Sequence, residues 1–151
     1  MIEGVRAVPL KPHVDERGFL VELLRSDDPH FQKFGQCYAS LNYPGVIRAW
    51  HWHERQDDFW VVVQGMIKAV CFDRRPDSAT LGEVDEFFLG EHDYRMLVIP
   101  RGVAHGYKTI GIKPSVLINF PTEPYDREKP DEFRLPYDTP EIPYDWEIRY
   151  R

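Results

Sequence analysis

Apolar residues in this chain fall in short β-rich stretches, some alternating with polar positions and some continuous, between turn residues. The pattern is cut into short runs: "FLVELLR" (19–25), "QCYASLNY" (36–43), "GVIRAWHWH" (45–53), "FWVVVQG" (59–65), "MIKAVCFD" (66–73), "EVDEFFLG" (83–90), "RMLVIP" (95–100) and "PSVLINF" (114–120). Gly, Pro, Asp or Ser stands at nearly every junction. Short runs of this kind at regular spacing predict an all-β sandwich or barrel. The spacing predicts a hairpin in "QGMI", with Gly65 at the turn. One short helix is predicted over "DPHFQKFG" (28–35), capped by Asp27 or Asp28 and stopped by Gly35.

From residue 121 the pattern changes. Pro121, Pro124, Pro130, Pro136, Pro140 and Pro143 interrupt any long helix or central strand. Tyr125, Phe133, Tyr137, Tyr144 and Trp146 give the same stretch more aromatic surface than a disordered linker carries. It reads as an extended, proline-rich segment (121–151) packed on the barrel. Residues 1–151 are thus expected to form a single domain.

Composition narrows the class. At 151 residues, 42% of them hydrophobic, the chain is long enough to bury a core. No apolar run reaches the length of a membrane span. "MIEGVRAVPLKP" lacks the basic start and apolar stretch of a signal peptide, so the expected location is the cytoplasm. A net charge of −6 argues against nucleic acid as a partner, although local arginines could still line an anion pocket. Cys37 and Cys71 read as small buried hydrophobes, with no disulfide required.

The candidate chemistry lies in "HWH". Alternation sends His51 and His53 to one face of a strand. Gly45, His51, His53, Asp58 and Gly65 match the first motif of the cupin family, G-x5-H-x-H-x(3,4)-E-x6-G, with Asp in place of Glu. Pro100, Gly102 and His105 match the core of the second. The fold this implies is a cupin-type double-stranded β-helix, or jelly-roll barrel. His51, His53, Asp58 and His105 form a candidate set for a divalent metal such as Fe, Mn, Ni or Zn. The competing account is that these histidines are half-buried rings bonded to their neighbours.

A closer resemblance covers about residues 3 to 146. "DERGFLVE" (15–22), "GVIRAWHWH" (45–53), "PRGVAHGY" (100–107) and "YDTPEIPYDW" (137–146) resemble the dTDP-4-dehydrorhamnose 3,5-epimerase family. The resemblance implies an isomerase of deoxysugar biosynthesis, acting on a nucleoside-diphosphate-linked 4-keto-6-deoxy sugar. A base removes the proton beside the ketone and an acid returns it on the other face, with no cofactor required. His51 is then the base and Asp138 its carboxylate partner. Arg17, Glu22 and Arg48 would hold the nucleotide, and His105 and Asn119 would lie near the sugar. Arg48 and His51 are three residues apart, which ideal alternation puts on opposite faces. The family role therefore needs a twist, a bulge or a ligand that wraps the strand end.

Three positions depart from the family pattern. Asp58 replaces a lysine and His53 a glutamine, while Asn119 or Phe120 stands where the family has a tyrosine, the presumed acid. The first two changes remove a cation and complete the metal set. A metal there could polarise the 4-keto oxygen as a Lewis acid. Two other readings compete: a metal-dependent cupin enzyme of another reaction type, and a non-catalytic sugar-binding cupin. A homodimer is also expected, because Trp50 and Trp52 fall on the strand face opposite the histidines and are candidates for a partner surface.

Overall fold

The computed structural model describes residues 1–149. Its strands are β1 (Arg6–Pro9), β2 (His13–Asp15), β3 (Gly18–Leu20), β4 (Tyr38–Asn42), β5 (Ile47–Trp52), β6 (Asp58–Gln64), β7 (Met66–Asp73), β8 (Val84–Gly90), β9 (Arg95–Ile99), β10 (Val103–Ile110), β11 (Ser115–Asn119) and β12 (Phe133–Arg134). They form two five-stranded sheets, ordered β1-β9-β6-β11-β4 and β12-β5-β10-β7-β8, and a small β2-β3 ribbon. All the pairings are antiparallel. The runs read from the sequence between residues 36 and 120 are therefore present as strands of a jelly-roll-like sandwich, whereas of the run 19–25 only Phe19 and Leu20 lie in a strand.

The main core lies between the two sheets. Trp60, Val62, Leu97, Ile99 and Leu117 from the first sheet meet Ile67, Ala69, Cys71, Leu89, Val103 and Tyr107 from the second. Strand β6 is buried on both faces, because Phe59 and Val61 pack behind the first sheet with Met96, Val98, Leu23 and Leu24. That explains why "FWVVV" is a continuous apolar run rather than an alternating one.

Three expectations need correction. Residues 28–35 form turns and irregular chain, and no helix occurs among the described residues. The Asp28 carboxylate accepts from the preceding Arg25 N–H instead of capping a following turn, and Gly35 donates across to the Pro121 carbonyl. Gly65 does not close a hairpin either: β6 and β7 belong to different sheets, so the chain turns a corner there. The corner is tight. Gly65 has φ +67°, and a Cβ on it would come within 2.4 Å of the Pro114 carbonyl oxygen.

The third correction concerns the tryptophans. Trp50 is buried beneath the chain's own C-terminal segment, packed with Ile142, Trp146 and Tyr144. Its indole N–H donates to the Tyr137 carbonyl at 3.2 Å. Trp52 stacks on Phe133 and carries the Arg74 guanidinium over its ring. Trp50 therefore offers no free face to a second copy, while Trp52 stays half-buried. Within 121–149 the regular structure is β12, and the remainder is irregular chain held by these contacts. No helix among the described residues is long and apolar enough to cross a membrane.

Candidate active site

The inner face of β5 carries the site, and a bulge puts Arg48 on it. His51 is paired with His105 on β10, but the next pair is Arg48 with Tyr107. Two residues of β5, Ala49 and Trp50, therefore oppose the single Gly106. A bulge of this kind restores the same facing to residues three apart. Gly106 is what admits it: a Cβ there would lie 2.3 Å from the Ala49 Cβ and 2.8 Å from its Cα. Arg48 and His51 consequently line one cleft of about 240 Å³, with Tyr38, Ser40, Trp60, Tyr107, Glu132 and Arg134 among its walls.

The second motif docks directly on the first. In "PRGVAH", the Gly102 N–H donates to the His53 carbonyl at 2.7 Å, and β10 then carries His105 beneath His51. Their ring centroids are 4.2 Å apart. Asp58 enters from the facing sheet, at the start of β6. The metal-ligating atoms of His51, His53, Asp58 and His105 all lie within 4.8 Å of one another. The sequence-predicted quartet is thus assembled, although not by a hairpin.

Hydrogen bonding fixes which atoms point inward. His105 Nδ1 lies 2.9 Å from the Val103 carbonyl, and His53 Nδ1 is bonded to the Asp131 carbonyl. A carbonyl only accepts, so each Nδ1 carries its hydrogen and each neutral ring presents an Nε2 lone pair to the centre. Asp58 Oδ1 is occupied by the Gln56 amide. Its Oδ2 lies 3.3 Å from His53 Nε2 and 3.2 Å from His105 Nε2. Neither contact has hydrogen-bond geometry, and both Asp58 Oδ2 and His105 Nε2 are buried without a hydrogen-bond partner. Two lone pairs and a carboxylate oxygen converge on one point.

The electrostatics differ among the groups. Burial first, and then the His105 imidazole, holds His51 well below the ordinary imidazole value, with Asp58 opposing. Burial also disfavours charge on His53, but Asp58 and the Asp131 carbonyl outweigh it and raise that ring. Burial alone would raise Asp58, but His105 and His53 keep its carboxyl far below the usual range. His51 is half-buried and faces the cleft; His53, Asp58 and His105 are buried behind it.

The other predicted residues are dispersed. Arg17, 90% exposed in its side chain, is held by Asp15 on the β2–β3 turn. The Glu22 carboxylate is bonded by Arg25. Asp138 is exposed beside Tyr137, whose carbonyl takes the indole N–H of Trp50. The carboxylate that meets the imidazoles is Asp58, whose Oδ2 lies 3.3 Å from His53 Nε2 and 3.2 Å from His105 Nε2. Asn119 is buried between β6 and the hydroxyl of Tyr38. Tyr38 and Arg134 were missed by sequence reasoning. The first sits in an ordinary alternating strand, and the second reaches the cleft because β12 pairs with β5, placing Arg134 opposite His51.

A family model described as dTDP-4-dehydrorhamnose 3,5-epimerase matches residues 1–151. The chain is 44% identical over 151 residues to the spore coat polysaccharide biosynthesis protein SpsL of Bacillus subtilis (strain 168), covering 100% of both. It is 48% identical over 147 residues to the probable low-salt glycan biosynthesis epimerase Agl13 of Haloferax volcanii, covering 96% of this chain and 94% of that one. Among solved structures, a dTDP sugar isomerase from Desulfovibrio desulfuricans G20 superposes with a TM-score of 0.91 at 32% identity, covering 96% and 92%.

Proposed function

The chain belongs to the dTDP-4-dehydrorhamnose 3,5-epimerase family, and on that premise we propose that it inverts a carbon next to the ketone of a dTDP-linked 4-keto-6-deoxy sugar. The observation that carries the assignment of the base is the placing of His51. It is the imidazole that faces the cleft shared with Arg48, and its environment keeps it neutral, the form a general base needs. The Arg48 Nε is bonded to Asn42, which leaves the two Nη groups for the diphosphate. Arg134 flanks the same cleft and adds a second guanidinium.

The family's epimerisation needs no cofactor. The buried quartet nevertheless favours a second element of the reading. Convergent Nε2 lone pairs and an unbonded carboxylate oxygen fit a cation better than they fit one another. In that second reading His53, Asp58 and His105, with His51 as a fourth donor, would hold a divalent metal, which supplies Lewis-acid polarisation of the ketone when bound, and His51 would then be a ligand rather than the base. The same ion would take over the task of the lysine that Asp58 replaces.

The comparison of His51→Ala with His53→Ala tests both. Deuterium uptake from D2O into the keto-sugar and metal content are measured side by side. Under metal-free epimerisation, His51→Ala loses about 10²–10⁴-fold in exchange rate and His53→Ala far less. Under the metal-assisted reading, both variants lose activity and a stoichiometric ion. If neither changes turnover, the imidazole cluster is not the catalytic centre. We also read residues 1–151 as one domain, because Ile142 and Trp146 complete a core with Trp50 and Val70. The expected homodimer moves from the tryptophans to the β2–β3 ribbon, where Val14, Phe19 and Leu20 are exposed. Light scattering that finds a monomer at micromolar concentration would remove it.

A further inference from the structure

We propose that Tyr38, on β4, is the general acid that returns the proton opposite His51. The inference rests on the epimerase reading above and adds a residue that the family resemblance does not assign to that role.

Asn119 stands at the position where the sequence lacks a tyrosine. Asn119 is fully buried on β11, and its Cα partner across the ladder is Tyr38. Its Oδ1 accepts the Phe59 backbone N–H at 3.1 Å, which settles the orientation of the amide. Its Nδ2 must then face the other way, and it donates to the Tyr38 hydroxyl oxygen at 2.9 Å. In this bond the phenol is the acceptor. Its own O–H hydrogen is therefore left unspent, and a phenol whose oxygen accepts a bond releases its proton more readily. Asn119 cannot donate to carbon itself, but it holds in place a hydroxyl that can.

The position of Tyr38 fits the role. It lines the cleft of about 240 Å³ that contains His51 and also the adjoining cleft of about 590 Å³ that contains His53. A sugar seated over His51 would thus meet the phenol from another wall. The other phenol of the His51 cleft, Tyr107, is 3% exposed and directs its hydrogen to Ser40 Oγ. Burial, and then the charge of Asp58, outweigh the Asn119 bond and push the Tyr38 phenol up to about 12, so it keeps its proton at neutral pH.

The step balances. His51 takes the proton as the C–H bond breaks, and the electron pair moves into the enolate. The ketone re-forms as the same carbon takes the Tyr38 proton on its other face. The resulting imidazolium and phenolate return to their starting forms by exchanging one proton with water.

Tyr38→Phe separates this role from a structural one. The probe is a dTDP-linked 4-keto-6-deoxyhexose in D2O, with deuterium followed in recovered substrate and in inverted product. His51 in the variant can still remove a proton, exchange it and return deuterium to the same face. We expect deuterium to persist in unepimerised substrate, while inversion falls by about 10²–10⁴-fold. A melting temperature equal to wild type shows that the fold is intact. Inversion at the wild-type rate, or equal loss of exchange and inversion, overturns the role of Tyr38 alone. Wild-type protein that neither exchanges nor inverts the probe overturns the epimerase reading itself, and this assignment with it.

Discussion

Replacing Gly106 by Ala tests whether the bulge in β5 is what joins Arg48 to His51. The added methyl would sit 2.3 Å from the Ala49 Cβ, 2.8 Å from its Cα and 2.9 Å from the Arg48 carbonyl oxygen. Non-bonded carbons settle at about 3.5–4.0 Å, so the two strands must part by more than about 1 Å. Two of the three atoms are backbone, which no rotamer change can move aside. Gly106 does not occupy the left-handed region, so the cost is steric rather than conformational. Overpacking a tight interior costs about 1–3 kcal/mol, and a backbone clash belongs at the upper end. At this chain length about 3 kcal/mol corresponds to a fall in Tm of about 6–12 °C. The assay is thermal denaturation by circular dichroism, with steady-state kinetics on the same samples. KM for the sugar nucleotide should rise more than kcat falls, because Arg48 is displaced. Gly111→Asn is the control. Its glycine has φ +79° with nothing near the missing Cβ, and asparagine tolerates that region, so the change should stay under about 1 kcal/mol. A Gly106→Ala protein with unchanged Tm and KM would refute the bulge account.

Other outcomes follow from the same structure. Trp146→Ala should cost about 3–5 kcal/mol, read by urea denaturation, because its ring packs 5.1 Å from Trp50 and its N–H bonds the Tyr137 carbonyl. Arg48→Gln should raise KM for the nucleotide sugar at least about tenfold while leaving the melting curve near wild type, since charge-assisted bonds contribute about 1.5–3 kcal/mol. Asp73→Asn should destabilise by about 3 kcal/mol at neutral pH, because the buried carboxylate is held by Arg75, Ser78 and Thr80. Burial alone would raise the Asp73 pKa, but those bonds depress it, so its contribution is present above the unfolded value. The gap between variant and wild type should therefore narrow as the pH falls below about 4, measured by melting at stepped pH.

Much of the fold was legible because burial writes itself into alternation. Strands β5 to β11 each carry the period or the double-sided apolar run that their place in the sandwich demands. The match to the two cupin motifs also revealed the quartet, since that resemblance implies that three histidines and one acid face one centre. The bulge was not legible. Sequence shows only that Arg48 and His51 are three apart, and the extra residue is absorbed by a glycine on a strand far along the chain. The short helix failed for a local reason: Asp28 bonds backwards to Arg25, and Gly35 is drawn to Pro121. The tryptophans were misassigned because periodicity gives the face on which a residue lies but not what covers that face. Tyr38 was overlooked because an exposed tyrosine in an edge strand has no pattern of its own.

The pairing of β12 with β5 also sets an order of assembly during synthesis. Until residues 131–146 have left the ribosome, β5 is an open sheet edge with Trp50 and Trp52 bare beside it. Such an edge is where chains stick to one another. The same late segment brings Asp131, whose carboxylate takes the N–H groups of Glu54, Arg55 and Gln56 and whose carbonyl fixes His53. The nascent chain therefore holds its imidazoles before it holds their geometry, and the segment that covers the β5 edge is the one that fixes His53.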